Sequence, residues 1–182
     1  MDKIRLATIW LAGCSGCHMS FLDLDEWLFD LAQKVDVVYS PVGSDVKEYP
    51  DNVDICLVEG AVANTENLKL ILQVRKNTKF LISFGDCAVT ANVPAMRNML
   101  GSSEPVLKRC YLELSDASAL IPKDPQFVPE LLEQVLPVHN IVDVDLYLPG
   151  CPPSANRIKA TIAPLLVGEI PQMEGRDMIK FG

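Results

Sequence analysis

Ile4-Arg5-Leu6-Ala7-Thr8-Ile9-Trp10-Leu11-Ala12-Gly13-Cys14-Ser15-Gly16-Cys17-His18-Met19-Ser20 is the stretch on which the fold turns. Ile4–Leu11 is apolar with few breaks and β-branched at Ile4, Thr8 and Ile9, the pattern of a buried strand. It ends in a Gly-flanked pair of cysteines, and a strongly apolar, helix-like segment follows at once. Two thiols at this spacing can grip one metal centre, exchange disulfides with a partner, or do neither.

The same grammar recurs down the chain. Val35–Tyr39 reads as a short strand and Ser40–Pro50 as a loop. Asp54–Glu59 and Lys79–Phe84 are apolar runs closed by Gly60 and by Gly85-Asp86-Cys87-Ala88, and Ile141–Leu148 is closed by Pro149-Gly150-Cys151-Pro152-Pro153. Helical spacing is read over Ser20–Ala32, Asn64–Lys76, Thr90–Leu100, Val128–Leu136 and Ser154–Leu166, with residues 101–125 irregular and a polar tail of about a dozen residues at the end. In Ser20–Ala32, Phe21, Leu24, Leu28 and Leu31 fall on one face and Asp23, Glu26 and Asp30 on the opposite one. Leu22 and Phe29 form a second apolar flank, suited to a tightly packed core helix or to a face against another subunit. Strands alternating with crossover helices predict an α/β fold over residues 1–182, one flavodoxin-like, doubly wound domain with a mostly parallel sheet and helices on both faces.

Of the 182 residues, 24 are acidic and 16 basic, a net charge of -8. That balance argues against nucleic acid and anionic membrane surfaces as partners. No apolar run approaches the roughly 20 residues that cross a bilayer. Leu11-Ala12-Gly13-Cys14 has the look of a lipoprotein cleavage box, but the stretch before it is short and broken by Arg5 and Thr8. The expected location is therefore the cytoplasm, where six cysteines serve as metal ligands, catalytic thiols or apolar filler sooner than as disulfides.

Cys14, Cys17, Cys87 and Cys151 all follow strand carboxyl ends, which share one rim in a parallel doubly wound sheet, the rim where ligands bind. Cys56, inside an apolar strand, and Cys110, in the irregular region, read as filler. Four thiolates at one rim suit zinc or an iron–sulfur cluster. Structural zinc usually takes two short-spaced pairs, and only one is present. The Cys151-Pro152 step, the flanking glycines and a helix N-terminus near Cys17 favour a [4Fe–4S] cluster, and the N–H donors around it would raise its potential. A C-x-x-C between strand and helix is also the thioredoxin arrangement, which leaves Cys87 and Cys151 without a role.

These motifs carry a resemblance. Cys14-Ser-Gly-Cys17-His-Met-Ser20, Val58-Glu59-Gly60, Gly85-Asp86-Cys87-Ala88 and Pro149-Gly150-Cys151-Pro152-Pro153 resemble, in order, the small subunit of [NiFe] hydrogenases over nearly the whole chain. The resemblance implies that Cys14, Cys17, Cys87 and Cys151 bind one [4Fe–4S] cluster and that a large subunit holds the Ni–Fe centre and splits or forms H2. It implies a proton-transfer role for Glu59 at the subunit boundary. His18 is expected to face solvent or to stand behind the ligands rather than to ligate. With no export signal and no cysteine after Cys151, the chain looks most like the small subunit of soluble NAD-reducing hydrogenases, whose partners include a diaphorase pair carrying flavin (FMN) and further Fe–S clusters. No G-x-G-x-x-G fingerprint appears, so NAD is expected on a partner. Cysteines stand where a flavodoxin phosphate loop would be rich in Ser, Thr and Gly, so FMN is not expected on this chain. The matching subunit of respiratory complex I is the close competitor, but it typically has two adjacent cysteines in the first motif, where this chain has Gly13-Cys14.

Overall fold

The computed structural model describes residues 3–116 and 118–182. Its frame is a five-stranded sheet built from β1 (Ile4–Trp10), β2 (Val35–Tyr39), β3 (Val53–Glu59), β5 (Thr78–Phe84) and β7 (Leu146–Leu148), all parallel, in the order β2-β1-β3-β5-β7. The chain runs from β1 outward to β2 and then jumps to the far side of β1, so the winding reverses between β1 and β3. This is the expected flavodoxin-like architecture. A separate antiparallel pair joins β4 (Val62–Asn64) to β6 (Leu131–Leu136).

Alternation along the central strands splits the core in two. Leu6, Ile55, Leu57, Ile82 and Phe84 meet Leu31 and Ile158, while Ala7, Ile9, Cys56, Val58 and Leu81 meet Ile71, Val74 and Ala88. Helices α1 (Gly16–Leu22), α2 (Trp27–Lys34) and α6 (Ala155–Leu165) thus cover one face, and α3 (Thr65–Asn77) and α4 (Asp86–Thr90) the other. Asn64 caps α3 by accepting the Asn67 N–H at 2.8 Å, which fixes where that helix starts. Among the described residues, no helix is long and apolar enough to cross a membrane.

Several elements differ from the sequence reading. Ser20–Ala32 is not one helix. It breaks over Asp23–Glu26, where Asp25 takes φ 49° and Leu24 turns into the core. The acidic residues therefore do not share one helical face; Leu24 and Leu31 are buried, whereas Leu22 and Phe29 of the second flank are exposed, Phe29 at 75%, so that flank is not packed into this chain's core. Thr90–Leu100 splits at Ala91 and Asn92, both at positive φ, into the end of α4 and a 3-10 helix over Val93–Leu100. Val128–Leu136 holds no helix, and Leu131–Leu136 within it is strand. Pairing with β4 and burial of Val135 outweigh its helical spacing. Ile141–Leu148 forms a strand only at Leu146–Leu148. Upstream, the Asp145 N–H still donates to the Leu81 carbonyl at 3.0 Å, but the Asp145 carboxylate accepts the Leu81 N–H at 2.7 Å and Arg75 Nη1 at 2.6 Å, so a side chain takes one of the two ladder positions there. Residues 101–125 contain α5 (Glu104–Lys108) and a wide turn over Arg109–Glu113, and Ala117 lies outside the described residues. The expected tail holds α7 (Arg176–Ile179) and folds back onto α6.

Candidate functional site

β1, β3, β5 and β7 are neighbours in the sheet, and their carboxyl ends lead respectively to Cys14 and Cys17, to Glu59-Gly60, to Cys87 and to Cys151. Three of the loops touch. A Cβ on Gly85 would run into Cys17 Sγ and stand 3.5 Å from the Gly150 carbonyl oxygen. At φ 82° this glycine satisfies two demands at once, a backbone bend that L side chains avoid and room for the sulfur beside it.

The four thiols feel one another. Burial pushes the Cys17 thiol far above its ordinary range, and Glu59, Cys87, Cys14 and Cys151 push it further. Cys87 is pushed up to about 11, first by burial and then by Cys151 and Cys14, while the Val93 backbone pulls it down. Crowding of this kind disfavours four anions on their own and is relieved when they ligate cationic metal. Asn92 Nδ2 donates to Cys151 Sγ at 3.7 Å, a donor of the sort that stabilises a ligating thiolate. The remaining cysteines stand apart. Cys56 is fully buried in β3 beside Tyr49, and burial pushes it up to about 12. Cys110 is exposed, so it does not fill the core as its sequence context suggested.

Glu59 is 2% exposed and acts as a cap supplied from another element. Ser15, ahead of α1, is left-handed and gives that helix no side-chain cap. Glu59 reaches across from β3 instead, its Oε1 accepting the Cys17 N–H at 3.3 Å and its Oε2 the His18 N–H at 2.9 Å. His18, 3% exposed, holds the same carboxylate through Nδ1 and reaches Thr8 Oγ1 through Nε2 at 3.0 Å. Thr8 in turn donates to Ser40 Oγ at 2.9 Å. A buried polar chain Glu59–His18–Thr8–Ser40 therefore runs from beside the cysteine pair across β1. His18 belongs behind the cysteines, and its solvent-facing alternative is set aside. Thr8 and Ser40 gave no sequence signal, because a lone Thr in a strand and a Ser in a loop are unremarkable until the fold joins them.

The donor set fits an iron–sulfur cluster: four thiols on one rim, and glycine where a Cβ would meet sulfur. Among the described residues, no three His, Cys, Asp or Glu groups close on the position of a single ion. A tetrahedral zinc with bonds of about 2.3 Å would draw its sulfurs to within ~4 Å of one another.

Fold and rim define a flavodoxin-like domain that gathers four thiols at the carboxyl edge of its sheet. The chain belongs to the family described as NADH ubiquinone oxidoreductase, 20 Kd subunit, whose model matches residues 14–165, and within it to the [NiFe] hydrogenase small-subunit type. It is 41% identical over 173 residues to a vhu-type F420-non-reducing hydrogenase subunit of Methanococcus voltae, covering 94% of this chain and 59% of that protein. It is 39% identical over 174 residues to the NAD-reducing hydrogenase HoxS subunit delta of Cupriavidus necator, covering 91% and 80%. A solved chain of an NAD+-reducing [NiFe]-hydrogenase superposes over 100% of both chains with TM-score 0.93 and 40% identity. A Dm. baculatum [NiFeSe]-hydrogenase chain, 13% identical with TM-score 0.59 over 98% of this chain and 69% of its own, shares the fold. The chain spans little more than half the length of the methanogen relatives it matches.

Proposed function

We propose that this chain is the small, electron-transfer subunit of a cytoplasmic NAD-reducing [NiFe] hydrogenase, with Cys14, Cys17, Cys87 and Cys151 holding one [4Fe–4S] cluster. Such a cluster supplies one-electron storage between a Ni–Fe centre in a large subunit and a diaphorase module carrying FMN and further clusters. The observation that supports this reading is that Cys14 and Cys17, Cys87 and Cys151 follow the carboxyl ends of β1, β5 and β7 in one parallel sheet, with Cys17 Sγ packed against Gly85, while Cys56 lies inside β3 and Cys110 in the segment after α5. Similarity to the NAD+-reducing [NiFe]-hydrogenase chain over its full length supports the choice of partner and acceptor.

The chain's own residues prepare the rim. Glu59 fixes the start of α1 and so the orientation of Cys17. Ser20 Oγ donates to the Pro153 carbonyl at 2.5 Å, joining α1 to the loop that carries Cys151. Glu59 and His18 share a buried hydrogen bond, which suits a proton held or passed at the carboxylate.

The 41%-identical relative is named as part of an F420-non-reducing hydrogenase, a name that gives no acceptor, so the choice of NAD+ rests on the NAD-reducing relatives. The quinone-linked reading rests on the family description, and the thiol–disulfide reading on the C-x-x-C pair alone. Anaerobic purification with native partners separates them. The relay predicts about four irons per chain, nickel in the assembly, and H2-dependent reduction of NAD+. Iron without nickel turns the reading to the quinone-linked relay, H2 oxidation without NAD+ reduction changes the acceptor, and absence of iron leaves the thiol–disulfide protein.

A further inference from the structure

Asp86 ties the two single-cysteine loops together, and Arg157 ties the second of them to segment 177–182. Asp86 directly precedes Cys87 and is 5% exposed. Its Oδ1 accepts the Gly150 N–H at 2.6 Å and its Oδ2 the Gly182 N–H at 2.8 Å, while its own N–H donates to the Gly150 carbonyl at 2.9 Å. Gly150 directly precedes Cys151, so one residue grips both polar groups of the glycine beside the other cysteine. From α6, Arg157 Nη1 donates to the Pro149 carbonyl at 2.7 Å and to the Lys180 carbonyl at 2.8 Å, and Nε donates to the Asp177 carbonyl at 2.6 Å. Segment 177–182 is thereby held against the same loop from two sides.

Local structure does not require these bonds. Asp86 lies 64 residues from Gly150 and 96 from Gly182 along the chain. A buried carboxylate held by backbone N–H groups satisfies those donors, and removing one acceptor oxygen leaves a donor without a partner. Hydrogen bonds to the backbone beside a ligand also set the orientation of that ligand and so the potential of the group it would hold.

We propose that Asp86 and Arg157 form a bracket, positioning the Cys87 and Cys151 loops in fixed register and pinning segment 177–182 across them. The retention and potential of the cluster then depend on two residues that do not ligate it. The proposal rests on the cluster reading given above. Asp86 and Arg157 are positioning residues, since they act through backbone next to the cysteines.

The test compares the anaerobically purified native assembly with its Asp86→Asn, Arg157→Met, Arg157→Lys and Lys180→Ala variants. Iron and acid-labile sulfide are counted first; an iron-free unchanged protein defeats the cluster reading itself. With iron present, D86N is expected to show a shifted cluster midpoint, altered EPR g values and several-fold faster iron release to a chelator. R157M is expected to release iron faster, with partial rescue in R157K. K180A removes a side chain while keeping the carbonyl that Arg157 uses, and is expected to match the unchanged protein. Should D86N fail to load, the Arg157 pair decides by the same readouts. The bracket is overturned if the loaded D86N or R157M keeps midpoint, g values and release rate, or if K180A shifts as far as either.

Discussion

At the scale of single residues, Glu59 shows how one side chain can be overcommitted. It takes two backbone N–H groups and an imidazole at 2% exposure, so every oxygen lone pair it offers matters. Glu59→Gln keeps the volume but replaces one acceptor oxygen with a donor. It is expected to lower the free energy of unfolding by about 1–3 kcal/mol, the range for a buried donor left unpaired, measured by denaturant titration against the unchanged protein. The strand-end cysteines were legible in the sequence because each follows an apolar run with a glycine within two residues of it. His18, Thr8 and Ser40 were not legible as a chain, because their link exists only once β1, α1 and the loop after β2 are packed. Asp86 was visible inside a motif, but its bonds to Gly150 and Gly182 were not, since no local pattern records a partner so far along the chain.

At the scale of elements, the sheet is tied at its amino edge as firmly as at its carboxyl edge. Asp54 on β3 accepts the Arg5 N–H of β1 at 2.8 Å and Lys79 Nζ of β5 at 2.7 Å. Burial alone would raise its carboxyl, but Lys79 and Arg5 outweigh that and hold it below its ordinary value. A depressed folded pKa contributes stability above the unfolded pKa and loses it as pH falls through the folded one. Asp54→Asn is therefore expected to melt below the unchanged protein at neutral pH. The gap should close as pH drops below the ordinary Asp pKa of about 3.9, as read by thermal unfolding across a pH series. A gap constant down to pH 2 would contradict this. Helix and strand boundaries were readable where apolar periodicity stood alone, as in α3 and β5. They failed where a side chain took one partner of the backbone pairing, as the Asp145 carboxylate takes the Leu81 N–H before β7, and where a distant strand set the conformation, as β4 does for β6. The break after Leu22 was hidden because Leu24 is buried either way.

At the scale of the whole molecule, the rim lies beside uncovered apolar surface. Met19 and Leu22 on α1 are exposed next to the cysteine pair, and Met96 and Met99 are exposed on the segment that follows Asn92. Under the proposed function a partner covers α1. The double change Met19→Asp and Leu22→Asp is expected to abolish co-purification of the large subunit while leaving the iron content of this chain intact, read by pull-down with metal analysis. Retention of the partner would show that α1 faces solvent in the assembly. The charge balance and the mostly parallel, doubly wound sheet were both legible at this scale, because they depend on totals and on alternation rather than on particular contacts.

The central claim is that four thiols from three separate loops share one cluster. It is tested most directly by counting iron and acid-labile sulfide in six single Cys→Ser variants purified anaerobically with their partners. The account predicts loss or conversion of a centre of about four irons in the variants at Cys14, Cys17, Cys87 and Cys151, and an unchanged count at Cys56 and Cys110. A full, spectroscopically unaltered centre after substitution at Cys87 or Cys151, or its loss on substitution at Cys56 or Cys110, would contradict it.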